Sequence, residues 1–479
     1  MRTLSLARTL LPTGHNKYDV MKRRVSAAGF WIRPLCAAIA AVLFAGACGE
    51  TFQAPRPPRD RINYPVGLHL HPNGRFLYVV NSNFNAKYRA DSGGTVSVID
   101  TQTLEILGDS TPFLPSFGGA IELNDDASRA YVTAREGNQL VAFRVAGGDA
   151  DTPAGGALFC LDDDGEPTSN PEKCSFRKVP RGESGSRLSN DPFSLDVATI
   201  RRTNPESGEE VPIDLVSLSY LGSNRVSTIS IPNRSLGSAT IETASLIAGS
   251  NRIERRPGTL SYYVAGRNTN VVARFAPFLN LRTTGTFGEV EALFQQGEIS
   301  LSNFVTSEGS GIAVDARGLA FDESGRRLYV ATRQPDALHV FELGASNRET
   351  GEGLKHRLSA SISLDDNPSD IVVHESPDGR RLLYVTSFGD NSINVVDPES
   401  KTVIDQIELD ASPYEMAVDT GSTRCSAPGE TCRGYVTLFK DTKKVSATCG
   451  PEANTCGSVA VIDLDPASAR FNQVIRKIR

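Results

Sequence analysis

The chain has 479 residues, 39% of them hydrophobic and 22% charged, with 42 Gly, 27 Pro and a single Trp, Trp31. Its 50 Lys and Arg stand against 56 Asp and Glu, a formal charge of −6. That excludes a generally basic nucleic-acid binder, whose affinity rests on a cationic face toward phosphate. The length admits two or three ordinary domains or one large repeat architecture.

The N-terminus reads as an address. Lys22-Arg23-Arg24 precedes an apolar stretch from Leu35 to Ala47 that ends in small residues, the layout of a secretory signal. The stretch is shorter than the roughly 20 apolar residues a spanning helix needs. Met21 lies directly before the basic cluster, so translation is expected to start there and residues 1–47 to comprise an N-terminal extension and signal peptide. The break, Leu43-Phe-Ala-Gly-Ala-Cys48-Gly49, resembles a bacterial lipoprotein lipobox, with Ala45 where Leu is usual; Ala45-Gly46-Ala47 also fits ordinary signal cleavage.

Cysteine arithmetic favours lipid on Cys48. Cys36 leaves with the signal, and with Cys48 lipidated six cysteines remain. Unpaired thiols are otherwise awkward in an exported protein. Residues 48–63, with Pro55, Pro57 and Pro58, then form a lipidated Cys and a stiff tether. Losing 1–47 removes seven basic residues and one acid, leaving 43 basic against 55 acidic, net −12. The expected location is the bacterial cell envelope, exported and lipid-anchored, in the outer membrane or periplasm.

From residue 64 onward one pattern recurs: an apolar strand, a polar turn, a strand built on Tyr-Val, a loop, and an alternating strand ending near Asp. Gly318 to Gly325, Arg327-Leu-Tyr-Val-Ala-Thr-Arg333 and Ala337-Leu-His-Val-Phe-Glu342 form the clearest copy. Anchors fall at Tyr78, Tyr131, Leu218, Tyr263, Tyr329, Tyr384 and Tyr435, separated by 53, 87, 45, 66, 55 and 51 residues. A propeller blade takes roughly 40–50 residues of four-stranded sheet. The expected fold is therefore all-β, a seven-bladed β-propeller of four-stranded blades over 64–479, with an insert near 148–190 in the longest gap. A single blade cannot bury both faces, whereas neighbours stacked around an axis can.

In this pattern the chain resembles bacterial YVTN-repeat β-propellers, related to lactonase-type and quinoprotein-type seven-bladed propellers. The resemblance implies the fold and leaves function open, because propellers host hydrolases, oxidoreductases and binding proteins alike.

The remaining cysteines pair most simply with their neighbours in sequence: Cys160 with Cys174, Cys425 with Cys432, Cys449 with Cys456. Six cysteines allow 15 connectivities, so locality is the whole argument. Six residues separate each of the last two pairs, too many for the zinc spacing C-x2–4-C. Asp162-Asp-Asp-Gly165-Glu166 offers oxygen ligands, but the calcium-loop register would place Cys160 first and Pro171 twelfth. A solvated acidic loop is the expectation there. No metal or cofactor is expected: C-x-x-C-H is absent, and Trp31 leaves with the signal.

His69 and His71 share one strand face, with His374 at the equivalent of His71 in another blade. That position is Asp322 in the blade at 318, so polar strand-end residues are expected rather than ligands. The more specific set is Arg135, Arg267 and Arg333, each four residues after its Tyr anchor, and Lys440, five after Tyr435. They fall where the second strand runs into its loop, on the face where propeller ligands usually enter. Arg forks there could bind carboxylate or phosphate; the competing expectation is that each Arg pairs with an acid of a neighbouring blade as a structural contact. The function expected is a binding or scaffold protein, a monomer, for an envelope protein or glycan partner, touching the membrane through its anchor only and no nucleic acid. The alternative is a lactonase-type hydrolase opening a small anionic lactone at that face, with catalytic residues not assigned.

Overall fold

The computed structural model describes residues 56–83, 93–115, 118–146, 156–162, 164, 166–168, 175–176, 188–282, 287–304, 313–344, 356–376, 378–419, 425, 431–439, 441 and 457–479. They form seven antiparallel sheets, each begun by the strand nearest the axis. These inner strands are Pro65–Leu70, Gly118–Leu123, Pro192–Thr203, Ser250–Arg255, Ala316–Phe321, Pro368–Glu375 and Pro413–Val418, opening blades 1 to 7. The seven-bladed β-propeller is thus the observed fold. Five blades have four strands; Phe113–Leu114 adds a fifth to blade 1, and Pro167–Thr168 and Ser175–Phe176 add two to blade 2.

Every anchor read from the sequence lies in a second strand and is buried: Tyr78, Tyr131, Leu218, Tyr263, Tyr329, Tyr384 and Tyr435 are at most 1% exposed. Alternation explains the core. Successive residues of a strand point to opposite faces, so Tyr78 and Val80 pack toward blade 2 while Leu77 and Val79 pack toward blade 7. Each pair of neighbouring blades shares such an apolar layer, and the inner strands follow one another around a closed ring.

Closure uses no borrowed strand. Gln473–Ile478 pairs with Ser458–Asp463 of its own blade. Blade 7 instead meets blade 1 through Ile62, Leu68, Val79, Tyr435, Val461 and Ile478. Glu415 Oε2 also accepts the Leu68 N–H at 2.9 Å, and Arg433 donates to the Thr101 carbonyl at 2.6 Å.

One irregularity repeats seven times. Each inner strand shifts register near its first residues: at 65–67, 118–121, 192–195, 250–252, 316–318, 368–370 and 413–416. A bulge of this kind re-aims the residues it contains. It also brings backbones close: a β-carbon on Gly67 would lie 2.5 Å from the Gly119 carbonyl oxygen, so no side chain fits there without movement. Tyr64, Asp191, Asp315 and Asn367, just before four of these strands, have positive φ between 50° and 63°.

Candidate functional site at the axial mouth

The bulges build the site. Arg317, Ser369, Tyr414 and Glu415 are all bulge residues, and with Asn251, Arg252, Arg333 and Asp370 they line a cavity of about 20 Å³ on the axis. Second strands end beside the starts of the inner strands because the pairing is antiparallel: Thr332 opposes Ala316, and Ser387 opposes Pro368. The arginines that follow the Tyr anchors therefore share this mouth with the bulge residues.

Three of the four cations expected there are described, and they feel one another's charge. Arg317 and Arg135 both depress the pKa of Arg267; Arg317 and Arg267 both depress that of Arg333. In each case burial is the larger cause, and for Arg333 the two together bring the guanidinium down to about 10. Lys440 lies outside the described residues, as do Cys48, Cys174, Cys449 and Cys456.

The partners of these arginines differ in kind. Arg135 forms a bidentate pair with Asp191 of blade 3, Nε to Oδ1 at 2.6 Å and Nη2 to Oδ2 at 3.0 Å, and stacks over Phe193. The acid of the next blade claims it, as the structural expectation had it. Asp315 holds the corresponding place at the start of blade 5, but Arg317 takes it at 2.6 and 2.9 Å. Arg267 is thereby left exposed, its guanidinium making no hydrogen bond or ion pair among the described residues. At the start of blade 6 the corresponding residue is Asn367. Arg333 accordingly donates to the Pro368 carbonyl at 2.9 Å and the Ser369 hydroxyl at 2.6 Å, with no carboxylate in contact among the described residues.

Beneath the mouth the charges pair across the axis. Arg252 of blade 4 reaches Asp370 of blade 6 and Glu415 of blade 7, each at 3.3 Å, with its own blade's Glu254 at 3.9 Å. Arg255 pairs with Asp196 at 3.1 Å, and His69 Nδ1 sits 2.9 Å from Glu122. Depth below the surface disfavours carboxylate charge. Desolvation lifts Glu254 and Glu415 to about 8 and Asp196 to about 7, against the pull of Arg252 or Arg255. It lifts Asp370 as well, while its carboxylate neighbours raise Arg252 despite that residue's own desolvation. Tyr414, between mouth and crossbar, is pushed up to about 12 by burial, then by Glu415.

Sequence reasoning missed Arg252, Arg317, Asp370, Tyr414 and Glu415. A usable signal existed: Arg252 and Asp370 hold the positions that are Gly67 and Gly318 in blades 1 and 5, two charges inside strands otherwise read as apolar. The three histidines do not converge on one site. His69 pairs with Glu122, His71 accepts the Asn73 N–H at 3.1 Å, and His374 lies against Cys432 in blade 7. Cys425 and Cys432 form the expected disulfide.

A larger cavity, about 440 Å³, lies off the axis between blades 1 and 2, lined by Arg56, Arg59, Phe113 and Phe159 among others. Its cations are engaged: both stack on Phe113, and Arg59 also donates to the Thr111 and Asp109 carbonyls. The axial mouth, with uncommitted charge, is the stronger candidate.

No family model and no curated protein matches the chain. Among solved structures it is similar to the periplasmic gluconolactonase PpgL of Pseudomonas aeruginosa, at 18% identity and a TM-score of 0.45, covering 73% of this chain and 87% of that one. It is similar too to Sqt1 of Chaetomium thermophilum bound to the N-terminus of ribosomal protein L10, at 10% identity and a TM-score of 0.49, covering 89% and 90%. At these identities neither carries its activity over to this chain.

Proposed function

We propose that the protein is an exported, lipid-anchored binding propeller whose axial mouth captures a carboxylate or phosphate group displayed by an envelope protein or glycan. The observation that carries this reading is the pair Arg267 and Arg333, two cations without a carboxylate in contact among the described residues, at a mouth where Arg135 and Arg317 are fixed by Asp191 and Asp315. Preset guanidinium forks suit oxyanions, and charge-assisted bonds to them are the strong class. The cavity below, about 20 Å³, has room for roughly one water. The anionic group therefore sits across the mouth, with the rest of the partner outside it. Anchoring at Cys48 supports a role at the envelope, since the tether would hold the domain near its partners.

The test is isothermal titration of the full chain with sugar acids, sugar phosphates and acidic peptides. Binding should weaken by roughly 10- to 100-fold in Arg267→Ala and in Arg333→Ala, the value of one hydrogen bond to a charged group. Equal affinity in wild type and both variants would sink the reading.

A second reading, opening of a small anionic lactone, is favoured by one observation: Glu415 and Asp370 line the same cavity as Arg333 and have raised pKa values. Water would add to the lactone carbonyl, the ring C–O bond would break, and a carboxyl group could shuttle the proton. Both acids, however, are held by Arg252. Turnover abolished by Glu415→Gln while binding persists would select hydrolysis.

A further inference from the structure

At the other end of the blades from the mouth, a histidine faces a disulfide. His374 lies on the inner strand of blade 6 and is fully buried. Its Nε2 is 3.8 Å from Cys432 Sγ, and its Nδ1 has no hydrogen-bond partner. A buried polar atom left so is costly. His71, its counterpart in blade 1, meets part of that need by accepting the Asn73 N–H.

The ligand atoms of His374, Cys425 and Cys432 all lie within 4.8 Å of one another, and all three residues are buried. Leu382, Tyr384, Met416, Val418 and Leu464 pack around them as an apolar shell. Such a shell limits solvent access to the cluster and lowers the local dielectric. The six-residue gap between the cysteines breaks the spacing rule for ligands on one short loop. That rule does not apply here, because the third ligand comes from the neighbouring blade.

We propose that reduction of the Cys425–Cys432 disulfide converts this cluster into a Cys2His site for a thiophilic cation, with Zn2+ as its representative. The steps balance. A dithiol reductant gives two electrons and two protons to the disulfide, yielding two thiols and its own cyclic disulfide. Zn2+ then displaces the two thiol protons as two Zn–S bonds form, His374 Nε2 supplies the third bond, and water completes the tetrahedron. Bonds of about 2.3 Å to sulfur and 2.0–2.1 Å to nitrogen place neighbouring ligand atoms roughly 3.5 Å apart, close to the present separation of His374 Nε2 and Cys432 Sγ. The sulfurs need only move apart once their bond is broken. The ion would clamp blade 6 to blade 7 in place of the disulfide that closes the loop within blade 7.

The experiment uses the full chain, reduced with a dithiol, desalted without oxygen and titrated with Zn2+ against a chromophoric chelator, while near-ultraviolet circular dichroism follows the fold. One equivalent should bind to the reduced protein and not to the oxidised one. It should be lost in Cys425→Ser and Cys432→Ser, weakened at least about 10-fold in His374→Ala, and unchanged in Cys449→Ser with Cys456→Ser. Zinc uptake that ignores Cys425 and Cys432, or is indifferent to His374, overturns the proposal. So does a reduced chain that loses its tertiary signal and does not regain it when Zn2+ is added, since ligand binding to the native form must restore it.

Discussion

Two arginine groups lie on one axis, and their circumstances are opposite. At the crossbar, Arg252 is shared by Asp370, Glu415 and Glu254 from three blades; its charge is spent inside the molecule. At the mouth, Arg267 is exposed and, among the described residues, Arg333 is held by a carbonyl and a hydroxyl; no carboxylate there spends their charge. The same residue type does structural work where acids of other blades converge, and is left without a carboxylate partner among the described residues where the expected acid is already taken or replaced by Asn367. A repeat that duplicates a residue does not duplicate its role unless the partner is duplicated too.

The comparison breaks most visibly at Arg252. Above about pH 8, where Glu254 and Glu415 are charged, Arg252→Ala would leave carboxylates facing one another with their counter-charge gone, and removing one partner of a buried pair costs about 3–5 kcal/mol. Urea unfolding should show a loss of that size, partly recovered in Arg252→Ala with Glu415→Gln. A change under about 0.5 kcal/mol would mean that the axis is held by inter-blade packing alone.

The crossbar should also set how stability responds to pH. Glu254 and Glu415 have folded pKa values of about 8 against 4.5 for the free side chain, and Asp196 about 7 against 3.8. The folded state therefore holds more protons than the unfolded one between those limits, so stability must fall as pH rises. The contribution is complete below about pH 4 and is lost progressively as pH rises from there through about 8. Melting temperature should decline across that window, and Glu254→Gln should flatten the decline. A rising melting temperature over pH 6 to 8.5 would contradict the assignment.

This division was only half legible in the sequence. The blades were readable because a period-2 strand with a buried Tyr or Leu at one fixed place leaves a mark on the chain: Leu218 at the degraded copy is as buried as Tyr384. The mouth was not, because Arg317, Ser369 and Tyr414 reach it through bulges, and a register shift has no signature in an alternation pattern. Arg135, Arg267 and Arg333 were visible as a set. What separates them, the identity of Asp191, Asp315 and Asn367 at the start of the next blade, becomes meaningful only once the strands are paired. Nor could spacing show that His374 faces Cys432, since they are 58 positions apart in the chain.

Within the mouth, smaller effects should sort the arginines. Arg135→Ala breaks a bidentate, half-buried pair and should cost about 1 kcal/mol of stability with little effect on anion affinity. Arg267→Ala should do the reverse: stability within about 0.5 kcal/mol of wild type, affinity down roughly tenfold or more. Differential scanning calorimetry beside isothermal titration separates the two outcomes. If both variants lose stability and neither loses affinity, every arginine of the mouth is structural.

The finest test adds no charge and removes no arginine. Asp315 has a φ of 52°, a conformation Asn adopts readily, so Asp315→Asn preserves the backbone and the outline of the side chain. It takes away the carboxylate that now engages Arg317 and lies within the field of Arg267 and Arg333. With that acid neutral, Arg317 joins the outward-facing set and the local potential becomes more positive. Anion affinity should rise by roughly threefold at low ionic strength and return toward the wild-type value as salt screens the mouth. Unchanged affinity at low salt would mean that the ligand's charge does not sit among these arginines. An affinity that falls would mean that Asp315 holds Arg317 in the orientation that binds, so that the pairing itself belongs to the site.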